Sequence, residues 1–539
     1  MTLAKCRFRV AFFTIGLLLA ILSVGTLPTP LAAQVTAFKQ AVAEAASRDK
    51  DIAAFYQSNG YQPIWVGDSG ADLDRRAALM RALSETGEHG LPESRYGADA
   101  LLEQMKATQS ARDLGLLEVA MSKAFVTYAR DAQSGLLRPA DVDSGIAREV
   151  IYRDRTSYLI DIAAAPSPGK FIKALPPRTP VYLSLMKEKL RLEGQLATGG
   201  WGPTIPAKKL KPGQSGEAVV ALRNRLIAKG YMGRSVTQSY DADVQKSVQL
   251  FQLDRGLTPD GVAGGETISQ LNKSMQDRLQ SVVVAMERER WLNRDLGQRH
   301  ILVNLTDFSA RIVDDGKVTF ETRSVIGKNA SDRRSPEFSD VMEFMVINPS
   351  WYVPRSIATK EYLPALKQNP NAVSQLEITD SRGRKINRGE TDFTQFTARN
   401  FPFSMRQPPS RSNALGLVKF MFPNPYNIYL HDTPAKNLFA REVRAFSHGC
   451  IRLADPFDFA YTLLSKQTDD PEGFFKAKLN TGKETKVLLE QPVPVHIIYR
   501  TAVTDSKDNI QYRRDVYGRD AKIWSALSSA GVALRGVQG

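Results

Sequence analysis

Cysteine is almost absent from this chain, which has only Cys6 and Cys450 among 539 residues. Cys6 lies where three basic residues precede the apolar run VAFFTIGLLLAILSVGTL, a pattern typical of an export signal that is cleaved near Ala33. Without this segment the chain keeps one thiol and cannot form an internal disulfide, although an exported protein meets an oxidising compartment. Cys450 is then an odd cysteine, either a buried hydrophobe or a thiol with a use.

Long apolar runs are also scarce. No stretch after residue 33 reaches the length that spans a membrane, which excludes a protein with several membrane spans. The run at residues 10–27 has two interpretations, a cleaved signal or a retained anchor, because about 18 apolar residues are just enough to cross a bilayer. In both cases we expect the bulk of the chain to lie outside the cytoplasm.

The chain has no excess of acidic residues. It has 72 Lys and Arg against 57 Asp and Glu, a formal charge of +15 that becomes +12 without residues 1–33. This balance favours an anionic partner. Export and the scattered basic residues argue against nucleic acid, which leaves an anionic wall polymer or an acidic membrane surface. A soluble surface rich in lysine explains the balance equally well.

The length predicts three or four domains, at about 150 residues each. Residues 34–205 have apolar residues every three or four positions, with Gly and Pro between the periodic stretches, which predicts a helical scaffold domain. Residues 208–272 carry three helical stripes in VQLFQLDRGLTPDGVAGGETISQLN and the residues before it. This skeleton is similar to a small three-helix peptidoglycan-binding module. A helical bundle whose glycines cap the helices is the alternative.

Residues 273–297 predict a bridging helix. After it, apolar and polar residues alternate with period two, which predicts an antiparallel sheet domain over residues 298–500. Within it, residues 354–413 form an irregular polar insertion too long for an ordinary loop, and we interpret this insertion as a lid. Residues 501–539 are left as a C-terminal extension. The predicted fold class is α+β, with a mainly β catalytic domain, a helical scaffold and a three-helix module.

The sequence FSHGCIRL places Cys450 among groups suited to thiol acyl transfer. That chemistry needs a thiolate, a base and donors for an oxyanion. His431, at the end of a strand, and His448 are both candidate bases, the amides of Gly449 and Cys450 are candidate donors, and Arg452 is suited to bind a carboxylate.

A helix start after the motif, with Asp455 as N-cap and Pro456 in the first turn, places Cys450 just before a helix, where a thiolate is favoured.

A zinc site is the chemical rival, because His431, Asp432, His448 and Cys450 are all residue types that zinc accepts. The adjacent His431 and Asp432 are awkward for joint coordination, and no motif has metal-ligand spacing. We therefore expect no metal.

The sequence resembles the L,D-transpeptidases with a YkuD-type catalytic domain, and in particular the large Gram-negative members with a helical scaffold and a wall-binding module. The resemblance rests on FYQSNGYQPIWV, RWLNRDLGQRHILVNL, INPSWYVPRSIATKEYLP, NALGLVKFMFPNPYNIYLHDTP, SHGCIRL and VPVHIIYRTAV. A histidine followed after fifteen residues by Ser-His-Gly-Cys is the family's signature.

The resemblance implies roles for the residues that match its motifs. It makes Cys450 the nucleophile and His431 its base. The residues implied to shape the pocket and oxyanion site are Ser447, His448, Gly449 and Arg452. Some relatives have serine where this chain has Asp432, so the group that orients His431 is left open.

The resemblance also implies a reaction. Cys450 attacks the third residue of a peptidoglycan tetrapeptide stem and expels D-alanine, and an amine of a second stem then takes the acyl group, which gives a 3→3 cross-link. No cofactor is expected, carbapenems should acylate Cys450, and peptidoglycan is the expected partner of a monomer in the periplasm. The alternatives are an L,D-carboxypeptidase or endopeptidase, a lipoprotein-attaching relative, or a non-catalytic wall-binding protein.

Overall fold

The computed structural model describes residues 36–504 and 509–536. The predicted signal or anchor over residues 1–33 lies outside the described residues. In the part that is described, no helix is both long enough and apolar enough to cross a membrane. The architecture is α+β, as the sequence predicted, with helices in the N-terminal half and a large sheet in the C-terminal half.

The N-terminal region is helical. Its α-helices are α1 (Ala37–Ala46), α2 (Lys50–Ser58), α3 (Gly70–Ser84), α4 (Ala98–Ala107), α5 (Ala111–Ser134), α6 (Pro139–Val142), α7 (Arg155–Ala164), α8 (Pro168–Lys173) and α9 (Pro180–Ala197). The long helix α5 lies at the centre of an apolar core that includes Trp65 and Phe125. Glu118 of α5 is fully buried and accepts hydrogen bonds from the Tyr56 hydroxyl at 2.6 Å and the Ile64 amide at 2.8 Å. These bonds satisfy the buried carboxyl group and fix the loop between α2 and α3 to α5.

A second core belongs to a small module of three helices, α10 (Glu217–Ala228), α11 (Ala242–Asp254) and α12 (Gly265–Asn272). Leu222, Val248 and Leu271 are fully buried, one from each of the three periodic stripes in the sequence. The side chain of Gln252 donates to Val262 and accepts from the amide of Gly261, so α11 holds the loop that leads to α12.

Helix α13 (Met275–Trp291) connects the module to the sheet and is almost completely buried. Its last turns carry the run Glu-Arg-Glu-Arg, and each charged residue has a partner elsewhere in the fold. Arg288 pairs with Glu337 at 2.7 Å and with Asp520 at 3.0 Å, and Arg500 pairs with Glu289 at 2.6 Å. The helix therefore ties several regions of the chain together through buried ion pairs.

The described residues of the C-terminal half form fourteen strands and five α-helices. The strands are β1 (Arg299–Asn304), β2 (Ser309–Asp314), β3 (Lys317–Gly327), β4 (Phe338–Ile347), β5 (Trp351–Tyr352), β6 (Glu377–Thr379), β7 (Ser404–Gln407), β8 (Val418–Met421), β9 (Leu430–His431), β10 (Ala445–Ser447), β11 (Ile451–Leu453), β12 (Thr485–Ile498), β13 (Ala502–Thr504) and β14 (Ile510–Tyr512). The helices are α14 (Arg355–Ile357), α15 (Leu363–Gln368), α16 (Pro456–Leu464), α17 (Pro471–Leu479) and α18 (Arg519–Ser529).

The large sheet has nine strands in the order β10-β3-β11-β9-β8-β4-β12-β1-β2, and β2 also pairs with β3, which closes it around an apolar core. The prediction of an antiparallel sheet was wrong in part. The pairs β1–β12, β3–β10 and β9–β11 are parallel, so the sheet is mixed. Alternation along one strand identifies the strand and its buried face, but it does not show whether the neighbouring strand runs parallel or antiparallel to it.

The insertion predicted to be irregular has structure of its own. Strands β5, β7 and β6 form a separate antiparallel sheet, and α14, a π-helical turn at Ala358–Tyr362 and α15 pack beside it around a small apolar core. The separate sheet begins at Trp351, three residues before the predicted start at residue 354, and we call residues 351–413 the lid.

Candidate active site

Two short strands bring the predicted chemical groups together. β9 and β11 are parallel neighbours, with Ile451 opposite Leu430 and Arg452 opposite His431. Because side chains alternate along a strand, Cys450 and Arg452 point to the same face, and so do His431 and the residue two before it, Tyr429. On the other side of β9, Lys419 of β8 is opposite His431. The sheet therefore carries a nucleophile candidate, a histidine and two cations on one face.

Cys450 is half-buried and is the free cysteine of the described residues. Its thiol donates to the Asn427 carbonyl oxygen at 3.4 Å. Burial raises the pKa of the thiol to about 11, although hydrogen bonds from Tyr429 and the charges of Arg452 and Lys419 act in the opposite direction. The resting thiol is therefore protonated at neutral pH.

The expectation that a helix start favours the thiolate is not supported by the geometry. Strand β11 follows Cys450 directly, and α16 begins only at Pro456. Asp455 makes no side-chain cap to this helix; its carboxylate accepts from the Thr322 hydroxyl at 2.8 Å instead. The effect of a helix terminus is confined to its first turn, so it does not reach Cys450.

His431 is 4% exposed, and its Nδ1 hydrogen-bonds to the backbone carbonyl of Asp432. In the neutral ring Nδ1–H donates to this oxygen, which leaves Nε2 as the nitrogen that accepts a proton. Burial, with the nearby charges of Arg452 and Lys419, lowers the pKa of His431 to about 3. His431 is therefore neutral throughout the physiological pH range.

The carboxylate of Asp432 is directed away from the histidine. It accepts from the amide of Leu417 at 2.9 Å and from Lys436 Nζ at 2.8 Å. In this geometry the carbonyl of Asp432, and not its side chain, is the group that fixes the ring of His431.

The loop before Cys450 is held by its own hydrogen bonds. The Ser447 hydroxyl donates to the Cys450 carbonyl at 2.5 Å and accepts from the Gly449 amide at 3.1 Å. Gly449 has φ +120°, a conformation that a side chain would strain. Its carbonyl accepts from the Ser335 hydroxyl at 2.6 Å. The amide of Gly449 is thus occupied by Ser447, which differs from the expectation that it is available to an oxyanion.

His448 has a different environment from His431. It is about one-third exposed, and its Nε2 contacts the Glu361 carboxylate of the lid at 2.6 Å. Arg333 donates to the same carboxylate at 2.7 Å. Lys360, next to Glu361, pairs with Asp332 at 2.7 Å. These contacts fasten the lid to the loops around Cys450.

A cavity of about 780 Å³ lies between the lid and the face of the sheet that carries Cys450. The sheet and its loops contribute His431, Ser447, His448, Cys450 and Arg452, and the lid contributes aromatic and charged side chains that include Trp351, Tyr362 and Glu361. Five of the predicted site residues therefore line one cavity. Gly449 and Asp432 are not among the lining residues. Hydrogen bonds of Gly449 hold the loop, and the Asp432 carbonyl holds the ring of His431.

Three residues near the site were not singled out from the sequence: Tyr429, Lys419 and Glu361. Tyr429 had a usable signal, because it lies two residues before His431 in a strand. Lys419 and Glu361 had none, since they reach the site only through the pairing of β8 with β9 and through the packing of the lid.

Within residues 36–504 and 509–536, no group of three or more His, Cys, Asp and Glu side chains is arranged to hold a metal ion. The candidate zinc ligands diverge, because the Asp432 carboxylate and His448 are bound by Lys436 and Glu361 respectively.

Comparisons with known proteins match three regions of the chain. The L,D-transpeptidase catalytic domain, YkuD, matches residues 298–489, the "Putative peptidoglycan binding domain" matches residues 215–271, and a scaffold domain matches residues 50–188. A Haemophilus influenzae protein named "Putative L,D-transpeptidase" is 32% identical over 229 residues, 41% of this chain. The match spans 45% of the length of that relative.

Two solved structures are also similar. The L,D-transpeptidase (residues 123–326) from Xylanimonas cellulosilytica has 14% identity and a TM-score of 0.16, and the match covers 55% of this chain and 98% of that one. An L,D-transpeptidase from Stackebrandtia nassauensis has 14% identity and a TM-score of 0.21, with 55% and 97% covered. The matched catalytic region contains the cavity with Cys450, and the matched binding region is the three-helix module. The chain therefore carries an L,D-transpeptidase catalytic domain of the YkuD family together with a peptidoglycan-binding domain.

Proposed function

We propose that this protein is a periplasmic peptidoglycan L,D-transpeptidase that forms 3→3 cross-links through an acyl-enzyme on Cys450. The observation that supports this most directly is the common face of β9 and β11, where Cys450, His431 and Arg452 line one cavity inside the matched catalytic domain.

In the first step the Cys450 thiol transfers its proton to Nε2 of His431 as the sulfur attacks the carbonyl of the third stem residue. The imidazole is neutral and its Nδ1–H is bound to a carbonyl oxygen, so Nε2 is the nitrogen available to accept the proton. Arg452 and Lys419 favour the developing thiolate, since both lower the pKa of Cys450. Collapse of the tetrahedral intermediate breaks the peptide bond to D-alanine, whose amine takes the proton from His431.

The oxyanion of the tetrahedral intermediate needs donors. Of the two amides predicted for this role, that of Gly449 is bound to Ser447, so the amide of Cys450 is our remaining candidate. The guanidinium of Arg452 lines the cavity, and its buried Nε has no hydrogen-bond partner among the described residues, which suits recognition of a substrate carboxylate.

In the second step an amine of another stem attacks the thioester, and the thiol is regenerated. Water would give hydrolysis instead, so the cavity has to exclude it. The contacts of Glu361 with His448 and Arg333 fit a lid that closes over the acyl-enzyme. The three-helix module, by its match to a peptidoglycan-binding domain, would hold the wall polymer close to this cavity.

The test is release of D-alanine from purified tetrapeptide muropeptides. Cys450→Ala should abolish release while circular dichroism remains that of the parent protein. Ser324→Ala is a matched control, because Ser324 is a fully buried small residue of the same sheet outside the cavity, and this variant should remain active. Unchanged release by Cys450→Ala would refute the proposal.

Product analysis separates the transpeptidase from its alternatives. Cross-linked dimers identify a stem as the acyl acceptor, and tripeptides alone identify a carboxypeptidase. If neither product forms, the wall-binding function is the remaining alternative. Mass spectrometry after incubation with a carbapenem should show the added mass on the peptide that contains Cys450.

A further inference from the structure

A small basic cavity lies where the three-helix module, the catalytic sheet and the end of the strand pair β13–β14 meet, and it shares no lining residue with the cavity at Cys450. Its volume is about 40 Å³, enough for a few waters or one small anion. The module contributes Arg255 and Gly256, the sheet domain contributes residues 306–308 and 442–444, and the segment after β14 contributes Arg513 and Arg514.

Arg255 is the most unusual residue of this cavity. It is 8% exposed, and its guanidinium lies between the ring of Phe251, at 5.0 Å, and the ring of Tyr512, at 4.9 Å. Its Nε and Nη1 are buried and have no hydrogen-bond partner within the described residues. A buried cation with unpaired donors is costly, and in native proteins such donors are normally satisfied by an anion, a polar group or water.

Two further arginines add positive charge to the cavity without a carboxylate in hydrogen-bond contact. Arg444 donates only to backbone carbonyls, those of Ser324, Arg441, Asp307 and Phe308. Arg513 donates to the carbonyls of Asp254 and Tyr512 and to the side-chain amide oxygen of Gln511. In the described part of the chain neither of them, nor Arg255, has a carboxylate partner.

The carboxylates of the cavity are already engaged. Asp307 accepts from both terminal nitrogens of Arg311 at 3.1 Å. Glu442 is bound by Arg514, which also contacts Glu266 of the module at 3.1 Å. Arg311 also pairs with Glu321 at 3.1 Å. These carboxylates are thus in direct contact with Arg311 and Arg514, and none of those described lies within ion-pair distance of the guanidinium groups of Arg255, Arg444 and Arg513.

We infer that this cavity binds a small oxyanion, a carboxylate or a phosphate, which bridges Arg255 of the module to Arg513, the residue after β14. The planar guanidinium groups match the geometry of such an anion, and its charge offsets their burial. The bound anion connects the peptidoglycan-binding module to the catalytic domain. This inference does not depend on the proposed transpeptidase reaction, because it uses none of the residues around Cys450.

Thermal unfolding of the full chain tests the inference, with inorganic phosphate and acetate as separate probes and sodium chloride used to hold the ionic strength constant. We expect at least one probe to raise the Tm of the parent protein in a saturable manner. In Arg255→Met the rise should disappear, or require about 10-fold more anion, because charged hydrogen bonds are lost.

Arg223→Met is the matched control. Arg223 is in the same module and is also 8% exposed, but it donates to Thr237 and Asn224 and does not line the cavity. The control should keep the rise in Tm. An equal loss in both variants, or no rise with either probe in the parent protein, would overturn the inference.

The two probes also separate the sources of the anion. A response to phosphate alone indicates a phosphorylated ligand, and a response to acetate alone indicates a peptide or sugar carboxylate. If Arg255→Met does not fold, crystals of the parent protein soaked in selenate give an independent answer. An anomalous peak within hydrogen-bond distance of Arg255 supports the site, and peaks confined to other positions contradict it.

Discussion

At the scale of single residues, Cys450 and His431 are a neutral pair. Burial raises the pKa of the thiol and lowers the pKa of the imidazole, so the ion pair seen in many thiol enzymes is disfavoured before substrate binds. In the proposed reaction the proton transfer is then coupled to the attack itself. Arg452 and Lys419 act on both groups, because their charges oppose an imidazolium and favour a thiolate.

This neutral pair predicts the pH profile of alkylation. The rate of Cys450 modification by iodoacetamide should be low at pH 7 and rise toward pH 11, because burial raises the pKa of the thiol to about 11. Arg452→Met should move the midpoint further up, since that charge lowers the pKa. The rate is measured from pH 6 to 11 by mass spectrometry. A midpoint below the value of about 8.5 for a free cysteine would contradict this prediction.

The two histidines of the motif predict different losses of activity. His431→Gln should reduce D-alanine release by about 10²–10⁴-fold, the usual contribution of a general base. His448→Gln should reduce it far less, because His448 contacts Glu361 of the lid. Both variants are assayed on the same muropeptide. A larger loss in His448→Gln would identify that residue as the base.

The sequence predicts some residues of the candidate site and does not predict others. The spacing of His431 and Cys450 predicts their convergence, because each lies next to a recognisable strand. The neighbouring strands decide the rest. Tyr429 follows from alternation along β9, whereas Lys419 requires the register between β8 and β9. Glu361 reaches His448 across 87 residues of chain, and only the folded lid brings them together.

At the scale of elements, α13 carries buried charge at four consecutive positions, residues 287–290. Arg288 has two acidic partners from different parts of the chain, Glu337 before β4 and Asp520 in α18. These partners raise the pKa of Arg288 despite its burial, so it stays charged. The helix is thus fixed by specific pairs as well as by its apolar side chains.

Removal of the central cation should be strongly destabilising. Arg288→Met leaves the carboxylates of Glu337 and Asp520 buried with fewer partners, and we expect a loss of about 3–5 kcal/mol in the free energy of unfolding. Lys106→Met is the comparison, because its pair with Glu103 is more than 70% exposed on both sides and should contribute less than about 1 kcal/mol. Urea unfolding measures both. Equal effects would show that the α13 pairs contribute no more than a surface pair.

The elements also differ in how well their sequences predict them. Helical periodicity predicted the three helices of the module, because the residues that form its core lie close together in the chain. The lid strands have two to four residues, too few for a clear alternation, and β5 pairs with β7 about fifty residues later. Such short segments become strands only because a distant partner is present.

At the scale of the whole molecule, buried neutral histidines make stability depend on pH. Burial lowers the pKa of His89 and of His496 to about 4 in each case, and that of His431 to about 3. In the unfolded chain a histidine takes up a proton near pH 6.5. Below that pH the unfolded state binds more protons than the native state, so this stability is present above pH 6.5 and is lost toward pH 4.

We therefore expect the free energy of unfolding to fall between pH 7 and pH 4.5, with each such histidine contributing up to about 1.4 kcal/mol per pH unit. His496→Gln should flatten the slope by about that amount. Its ring contacts the Ser339 hydroxyl at 2.8 Å and the Leu296 carbonyl at 3.0 Å, so glutamine keeps part of this bonding. Urea titrations at several pH values give the slope. The same slope in both proteins would contradict the assignment.

The loop before Cys450 is supported by a residue that lies much later in the chain. Ser335, which holds the carbonyl of Gly449, is itself bound through its amide by the Tyr517 hydroxyl at 3.2 Å, and the same hydroxyl donates to Gly327 at 2.6 Å. Tyr517 is made 67 residues after Cys450. A growing chain thus contains every proposed catalytic side chain before it contains Tyr517, so the support of the loop before Cys450 is complete only after 67 further residues have been made.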